Sequence, residues 1–429
     1  MRGVAKDMED VFDKRIAPIL EKAMGEISDW PYFRALTPNG PGEVIVDGRP
    51  SVMAGCNDYL GLSCDPRVTE AAAEAVRRYG ASCSGSRSLN GTMALHEELE
   101  HRIAVFLERP AALVTTTGFQ ANLMLTALLE RGDTVFSDMS NHASLVDAVR
   151  LSPAARRRYR HRDLDHLERL LSAAGPDTAK LIVTDGLFSM EGDVCPLPGL
   201  GTLAGRYGAR LIVDGAHDIG LLGEHGRGVA EHFGLMDAVD LQTGTLSKCF
   251  GSLGGFVAGP EHLVRFLRYT ARPFVFTAAM SPASAAAALA ALTVIETEPD
   301  RRQRVFNHAE RLHNGLRALG YTTSPSVTPV VPVHIGDELL CLRTWQELLD
   351  HGVYTNAVIP PGVPSHRSLI RVTAQATHTD EQITRILDAF AAVGRQLGLV
   401  PRGAPEDYEP VDLVRPRRHA AAPLPAENP

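Results

Sequence analysis

Six short runs rich in Val, Ile and Leu recur between residues 111 and 258, and helix-compatible stretches separate most of them. The runs are Ala111 to Thr116, Thr134 to Ser137, Lys180 to Thr184, Arg210 to Val213, Val239 to Gln242 and Gly254 to Ala258. Strands that are apolar throughout, rather than at alternate residues, suit a sheet covered on both faces. Their alternation with helices makes that sheet mainly parallel, because parallel neighbours need a crossover connection. In such α/β folds the functional groups gather beyond the strand C-termini.

The remaining organisation follows from length and punctuation. At 429 residues the chain exceeds the roughly 250 to 300 residues that one core organises, so a second, smaller domain is expected. Asp65 can cap a helix and Pro66 suits its first position, while Val68, Ala72, Ala75 and Tyr79 form an apolar stripe that Gly80 stops. After the alanine-rich helical run Ala283 to Thr297 the pattern changes. A long polar helix follows, then a strand at Val330 to Ile335, a helix near Glu338 to His351, strands at Val353 to Ala357 and Leu369 to Ala374, and a helix from Asp380. The expected division is an N-terminal helix and arm over 1–55, a large α/β domain over 56–297, a small α+β domain over 298–400 and a flexible tail over 401–429. The tail carries Arg415, Arg417 and Arg418 among prolines and has no apolar periodicity.

Composition removes several classes of function. With 43 Lys and Arg against 51 Asp and Glu, the net charge of −8 opposes general binding of nucleic acid. Any anion must be held locally. Cys56, Cys64, Cys83, Cys195, Cys249 and Cys341 have neither CxxC nor zinc-type spacing, which predicts reduced thiols in the cytoplasm and no metal. The absence of an apolar run of about 20 residues, and a charged N-terminus, predict neither an integral membrane segment nor a signal peptide.

Polar residues then cluster where the strands end. Lys248 lies in Thr245-Leu246-Ser247-Lys248-Cys249-Phe250-Gly251, after the strand expected to end at Gln242, and Asp214 with His217 follows the strand Leu211-Ile212-Val213. A lone lysine on a loop is ordinarily solvated, and a lone aspartate at a strand end ordinarily caps a helix. Together they match what pyridoxal 5'-phosphate needs: a lysine for its aldehyde, a carboxylate for its ring nitrogen and donors for its phosphate. Thr245 and Ser247 supply hydroxyls. Gly118 and Phe119 precede a helix expected to start near Gln120, whose N-terminal N–H groups can face the phosphate.

Over almost its whole length the chain resembles the α-oxoamine synthase family of fold-type I pyridoxal-phosphate enzymes. The matching blocks are Asn57-Asp58-Tyr59-Leu60-Gly61-Leu62; Gly85-Ser86-Arg87-Ser88-Leu89-Asn90-Gly91-Thr92 with His96 and Glu100; Thr117-Gly118-Phe119-Gln120-Ala121-Asn122; Asn141-His142-Ala143-Ser144; Phe188-Ser189-Met190-Glu191-Gly192-Asp193; Gly226-Arg227-Gly228; and the lysine block. The resemblance implies a large, mainly parallel sheet domain with a small α+β domain. It implies that His142 stacks on the cofactor ring, that Ser189 and His217 face the ring's oxygen, and that Thr277 reaches the phosphate of a neighbouring subunit. A homodimer with shared active sites follows from that last role. Arg371, in Leu369-Ile370-Arg371-Val372, would grip the substrate carboxylate in two places, assisted by Asn57.

The reaction so implied joins an amino acid to an acyl thioester, with Lys248 as the base, loss of carbon dioxide and release of an α-amino ketone. Within the family the Gly85–Thr92 block, Arg272-Pro273-Phe274-Val275-Phe276-Thr277-Ala278 and Val353-Tyr354-Thr355-Asn356 look most like bacterial serine palmitoyltransferase, which implies serine and a long-chain acyl-CoA. Two departures point to altered substrate choice. Asp214-Gly215-Ala216-His217-Asp218 stands where Asp-Glu-Ala-His-Ser is usual, and Ile359 precedes Pro360-Pro361 where an arginine is usual. Glycine, alanine or another amino acid, and an acyl group on a carrier protein, therefore stay open. So do an aminotransferase on the same fold and a non-catalytic partner subunit, although the latter would lack the lysine.

Overall fold

A computed structural model describes residues 31–400; the first 30 residues of the expected N-terminal helix and arm, and the tail beyond 400, lie outside the described residues. Strands β1 (Leu36–Pro38), β2 (Glu43–Val46) and β3 (Arg49–Met53) open the chain. Asp47 and Gly48 join β2 to β3 with φ of 49° and 76°, a left-handed pair that suits a two-residue hairpin turn.

The large domain is built on seven strands: β4 (Ala111–Thr115), β5 (Thr134–Asp138), β6 (Ala155–Tyr159), β7 (Lys180–Asp185), β8 (Ala209–Asp214), β9 (Leu241–Thr245) and β10 (Gly255–Gly259), in the order β4-β10-β9-β8-β7-β5-β6. Only β10 runs antiparallel to its neighbours. Every residue of β5, β7, β9 and β10 is buried, as strands covered on both faces require. Helix Pro66–Tyr79 packs against the alanine-rich helix Pro282–Thr297. Its bounds are those the punctuation marks: Asp65 accepts the Arg67 N–H at 3.0 Å, and Gly80 ends it with φ of 82°.

The small domain contributes β11 (Val330–Gly336), β12 (Val353–Tyr354), β13 (Asn356–Val358) and β14 (Ser368–Thr373). Its antiparallel sheet has the order β11-β14-β13. β12 instead pairs in parallel with β3, so the arm is joined to the small domain. The single strand expected over Val353 to Ala357 is thus two strands in different sheets. Thr355 separates them, and its carbonyl accepts the Trp345 indole N–H at 3.0 Å.

Three further differences have local causes. β6 has the sequence Ala-Arg-Arg-Arg-Tyr and shows no apolar run, because it is the edge of the sheet and leaves its first four residues exposed. β9 continues past Gln242 to Thr245, since β10 pairs with Thr243, Gly244 and Thr245 and supplies partners that local polarity hides. The helix expected near Gln120 begins at Gly118, capped by the Thr117 side chain, which accepts the Gln120 N–H at 3.1 Å.

Candidate active site

Five strands deliver their C-terminal ends to one place. β4 leads to Thr117 and Gly118, β5 to Asn141 and His142, β7 ends at Asp185 ahead of Ser189, β8 ends at Asp214 ahead of His217, and β9 ends at Thr245 ahead of Ser247 and Lys248. From the other domain β14 brings Arg371, and the loop after β3 brings Asn57. Sequence reasoning separated these residues by up to 314 positions, a span the Arg371–Asn57 contact closes.

Asp214 is 5% exposed and fully engaged. Its Oδ2 accepts the Asn122 amide at 2.6 Å and its Oδ1 accepts the Ala216 N–H at 3.0 Å. Asn122 is fixed in turn, accepting from Thr243 Oγ1 at 2.7 Å and donating to Ser144 Oγ at 2.8 Å. Ser144 also meets His142 Nδ1 at 2.7 Å. Asn122, Thr243 and Ser144 thus link the carboxylate to the histidine. Their signal was present in the matched blocks Thr117–Asn122 and Asn141–Ser144, but no role followed from it. Burial depresses the His142 imidazole, against the pull of Asp214. A neutral, planar ring results.

Lys248 stands opposite. Burial lowers its ammonium's proton affinity, Asp214 raises it and Arg371 lowers it further, with a net fall. Asp185, in register with Asp214 on the adjacent strand, was not anticipated. It is buried, its Oδ2 accepts the His142 backbone N–H at 3.1 Å, and its Oδ1 has no hydrogen-bond partner among the described residues. Burial and then Asp214 push its carboxyl well above the ordinary range.

Arg371 is 4% exposed, and it bridges both domains. Nε donates to the Ser189 carbonyl at 2.7 Å, while Nη2 donates to Asn57 Oδ1 at 2.9 Å and to the Tyr59 hydroxyl at 3.3 Å. The Tyr59 hydroxyl meets His217 Nδ1 at 2.6 Å. Burial, followed by Lys248 and Arg371, pushes His217 well below its ordinary value, so its imidazole is neutral, with one ring nitrogen donating and the other accepting. Ser189 therefore engages Arg371 through its carbonyl. Tyr59, quoted in a matched block but given no role, is the hinge between His217 and Arg371.

The phosphate end fits as well. Thr245 Oγ1 lies 2.7 Å from Ser247 Oγ and 3.0 Å from the Gly254 carbonyl. A Cβ on Gly118 would come within 2.8 Å of the Thr245 Cβ, so only glycine leaves this cradle open. The N–H groups of Gly118 and Phe119 precede the first intrahelical bonds and are free to face an anion. Phe119 is 42% exposed at the rim. Thr277 has no hydrogen bond to these side chains among the described residues; it follows helix Arg272–Val275 and precedes Ala278, which bridges to Ser86. An aldehyde-bearing ring with a phosphate fits this donor set: an amine, an opposed carboxylate, a flat imidazole and paired hydroxyls.

A further cluster braces the loop that carries Ser189. His161 lies 3.0 Å from Asp138 and 3.1 Å from Asp193, and Arg162 joins Asp193 at 2.8 Å. Burial alone would depress His161, but the two carboxylates outweigh it and lift it to about 10. An unfolded histidine titrates near 6.5, so this stabilisation is complete below about pH 6.5 and disappears as pH rises to the folded value. His161→Gln should therefore lower the melting temperature more at pH 6 than at pH 10. An equal loss at both would remove the ion pair as its cause.

The fold and this donor set define a pyridoxal-phosphate enzyme of fold type I. The chain belongs to the aminotransferase class I and II family, whose model matches residues 53–390, and within it to the α-oxoamine synthases. It is 42% identical to a serine palmitoyltransferase of Sphingobacterium spiritivorum over 85% of this chain and 92% of the relative. It is 43% identical to an 8-amino-7-oxononanoate synthase of Symbiobacterium thermophilum over 83% and 91% respectively. Among solved structures, Sphingomonas wittichii serine palmitoyltransferase aligns with a TM-score of 0.88 at 34% identity, over 92% of this chain and 100% of that one. A serine palmitoyltransferase from S. paucimobilis with bound pyridoxal phosphate and myriocin aligns with the same score at 33% identity, over 91% and 100%.

Proposed function

We propose that the enzyme condenses serine with a long-chain acyl-CoA, releasing coenzyme A and carbon dioxide and leaving an α-amino ketone, a 3-keto sphingoid base. The observation that carries this reading is the convergence of Lys248, Asp214 and the bridged Arg371 fork in one site, in a chain whose relatives catalyse such condensations. When bound, pyridoxal phosphate supplies an electron sink for the carbanion at the amino acid's α-carbon. Lys248 removes the α-proton, a task suited to an amine whose proton affinity burial has lowered. Asp214, held by Asn122 and the Ala216 N–H, keeps a proton on the ring nitrogen. His142 would hold the face of the ring as a neutral imidazole, and His217 would hydrogen-bond on the side of its oxygen. Arg371 and Asn57 hold the carboxylate until it leaves as carbon dioxide. Thr245 and Ser247, with the Gly118 and Phe119 N–H groups, hold the phosphate.

The assembly that suits this site is a homodimer in which Thr277 serves the partner's phosphate. Leu89, Phe119, Leu253 and Phe276 are all more than 40% exposed. Three of them share one surface, because Gln120 donates to the Pro273 carbonyl and Ser88 to that of Val275. Cytoplasmic placement accords with six free thiols; among the described residues no helix is long and apolar enough to cross a membrane. The domain division into 56–297 and 298–400 accords with the separate sheets.

One observation favours a second reading within the same reaction class. Gly215 and Asp218 alter the turn beneath the cofactor, and Ile359 is buried in the main apolar cluster and offers no charge. Glycine or alanine, or a carrier-protein thioester, would then be used. A spectral titration with a panel of amino acids, followed by product masses with acyl-CoA and acyl-carrier donors, separates the two. Thiol and carbon dioxide should appear in equal amounts with the α-amino ketone. Keto acid formed without thiol release would replace condensation by transamination.

A further inference from the structure

Behind the strand end that carries Asp214 lies another carboxyl whose surroundings are unusual. Asp218 is fully buried; its Oδ2 accepts the Val229 N–H at 2.8 Å, and its Oδ1 has no hydrogen-bond partner among the described residues. Three glycines wall it in. A Cβ on Gly186 would stand 2.2 Å from Oδ2, one on Gly215 would stand 2.7 Å from Oδ1, and one on Gly228 would stand 3.2 Å from Oδ2. The carboxyl occupies space that a side chain at Gly186 or Gly215 would need. A side chain at Gly215 would meet Ile219 Cδ1 at 2.4 Å as well as this carboxyl at 2.7 Å, so residues 215 and 218 share one packing volume.

The turn holding this carboxyl also aims His217. Asp218 N and Ile219 N both donate to the Gly215 carbonyl, at 3.3 and 3.0 Å, and the Asp218–Val229 bond ties the turn to the far limb of its loop. His217 projects from this turn onto the Tyr59 hydroxyl at 2.6 Å, and Tyr59 receives Arg371 Nη2 at 3.3 Å. A shift of the turn is passed along these two contacts to the guanidinium.

We propose that Asp218 and Gly215 act as a coupled positioning pair for amino-acid selection, setting His217 against Tyr59 and so the angle of the Arg371 fork. The inference rests on the reading of Arg371 as the carboxylate-binding residue. Burial pushes the Asp218 carboxyl up to about 7, and Asp214, Cys195 and Cys249 are the titratable groups that face it. An uncharged asparagine can then keep the bond to Val229.

The test uses the holoenzyme with Asp218→Ser, Asp218→Asn, Gly215→Ala and the double variant Gly215→Ala with Asp218→Ser. For each, KM and kcat with serine, glycine and alanine are measured, together with cofactor affinity. Asp218→Ser should raise the KM for the preferred amino acid about tenfold, with kcat and cofactor affinity little changed. Asp218→Asn should keep the original KM. Gly215→Ala alone should be impaired, because its methyl meets Ile219 Cδ1 at 2.4 Å and Asp218 Oδ1 at 2.7 Å, and adding Asp218→Ser should restore the part of the loss that comes from Oδ1. Additive effects of the two substitutions, or an unaltered KM in Asp218→Ser, would overturn the proposal. Its failure stays distinct from failure of the functional reading: an Arg371→Ala variant that loses amino-acid affinity beside an indifferent Asp218→Ser sinks only the positioning pair.

Discussion

Lys248→Ala should abolish condensation, by about a thousandfold or more, and with it the visible absorption of lysine-bound pyridoxal phosphate. The size of the effect follows from the two tasks on one amine. In the proposed mechanism it would carry the cofactor's aldehyde and, once displaced by substrate, act as the base at the α-carbon. No neighbour replaces it. His142 is given to stacking in the proposed mechanism and is depressed by burial, and His217 is also depressed by burial and lies 2.6 Å from the Tyr59 hydroxyl through Nδ1. Borohydride reduction of the wild-type holoenzyme should label Lys248 alone, with circular dichroism confirming that the alanine variant is folded. Full activity in the variant, or label elsewhere, would falsify the assignment of this lysine.

Arg371→Ala should weaken amino-acid binding about a hundredfold while leaving cofactor affinity nearly unchanged. A guanidinium that is 4% exposed and paired with a substrate carboxylate is worth about 2 to 5 kcal/mol when one partner is removed. Part of the loss comes from the apo site, where the Ser189 carbonyl, Asn57 Oδ1 and the Tyr59 hydroxyl all lose their donor. Arg371→Lys should recover little, because a single ammonium cannot span a bridging geometry that uses Nε and Nη2 on different partners. Spectral titration with serine measures both, and an unchanged affinity in Arg371→Ala would remove its proposed role.

Local chemistry carried much of this enzyme. The helix Pro66–Tyr79 was readable because its cap, its first-turn proline and its terminal glycine are all contiguous signals. That Lys248, Asp214, His142 and the Thr245–Ser247 hydroxyls would gather at one end of the sheet was readable because parallel strands place their polar residues just past the last apolar position. β6 was not, because an edge strand of arginines carries no apolar pattern to detect.

The parts of the site that escaped notice are those whose meaning lies in a partner far along the chain. Asn122 matters because it reaches Asp214 across 92 positions, Tyr59 because it meets His217 across 158, and His161 because Asp138 at the end of β5 and Asp193 in the loop after β7 close on it. Residue types and their order along the strands determined the α/β architecture and pointed to the cofactor, since these depend on short-range periodicity and on functional groups with few substitutes. Which side chains brace those groups, how β12 and β13 part into separate sheets, and why Gly215 accompanies Asp218 were decided only in three dimensions. Hydrogen bonds and excluded volume act between atoms brought together by folding, and neither leaves a mark at fixed spacing in the chain.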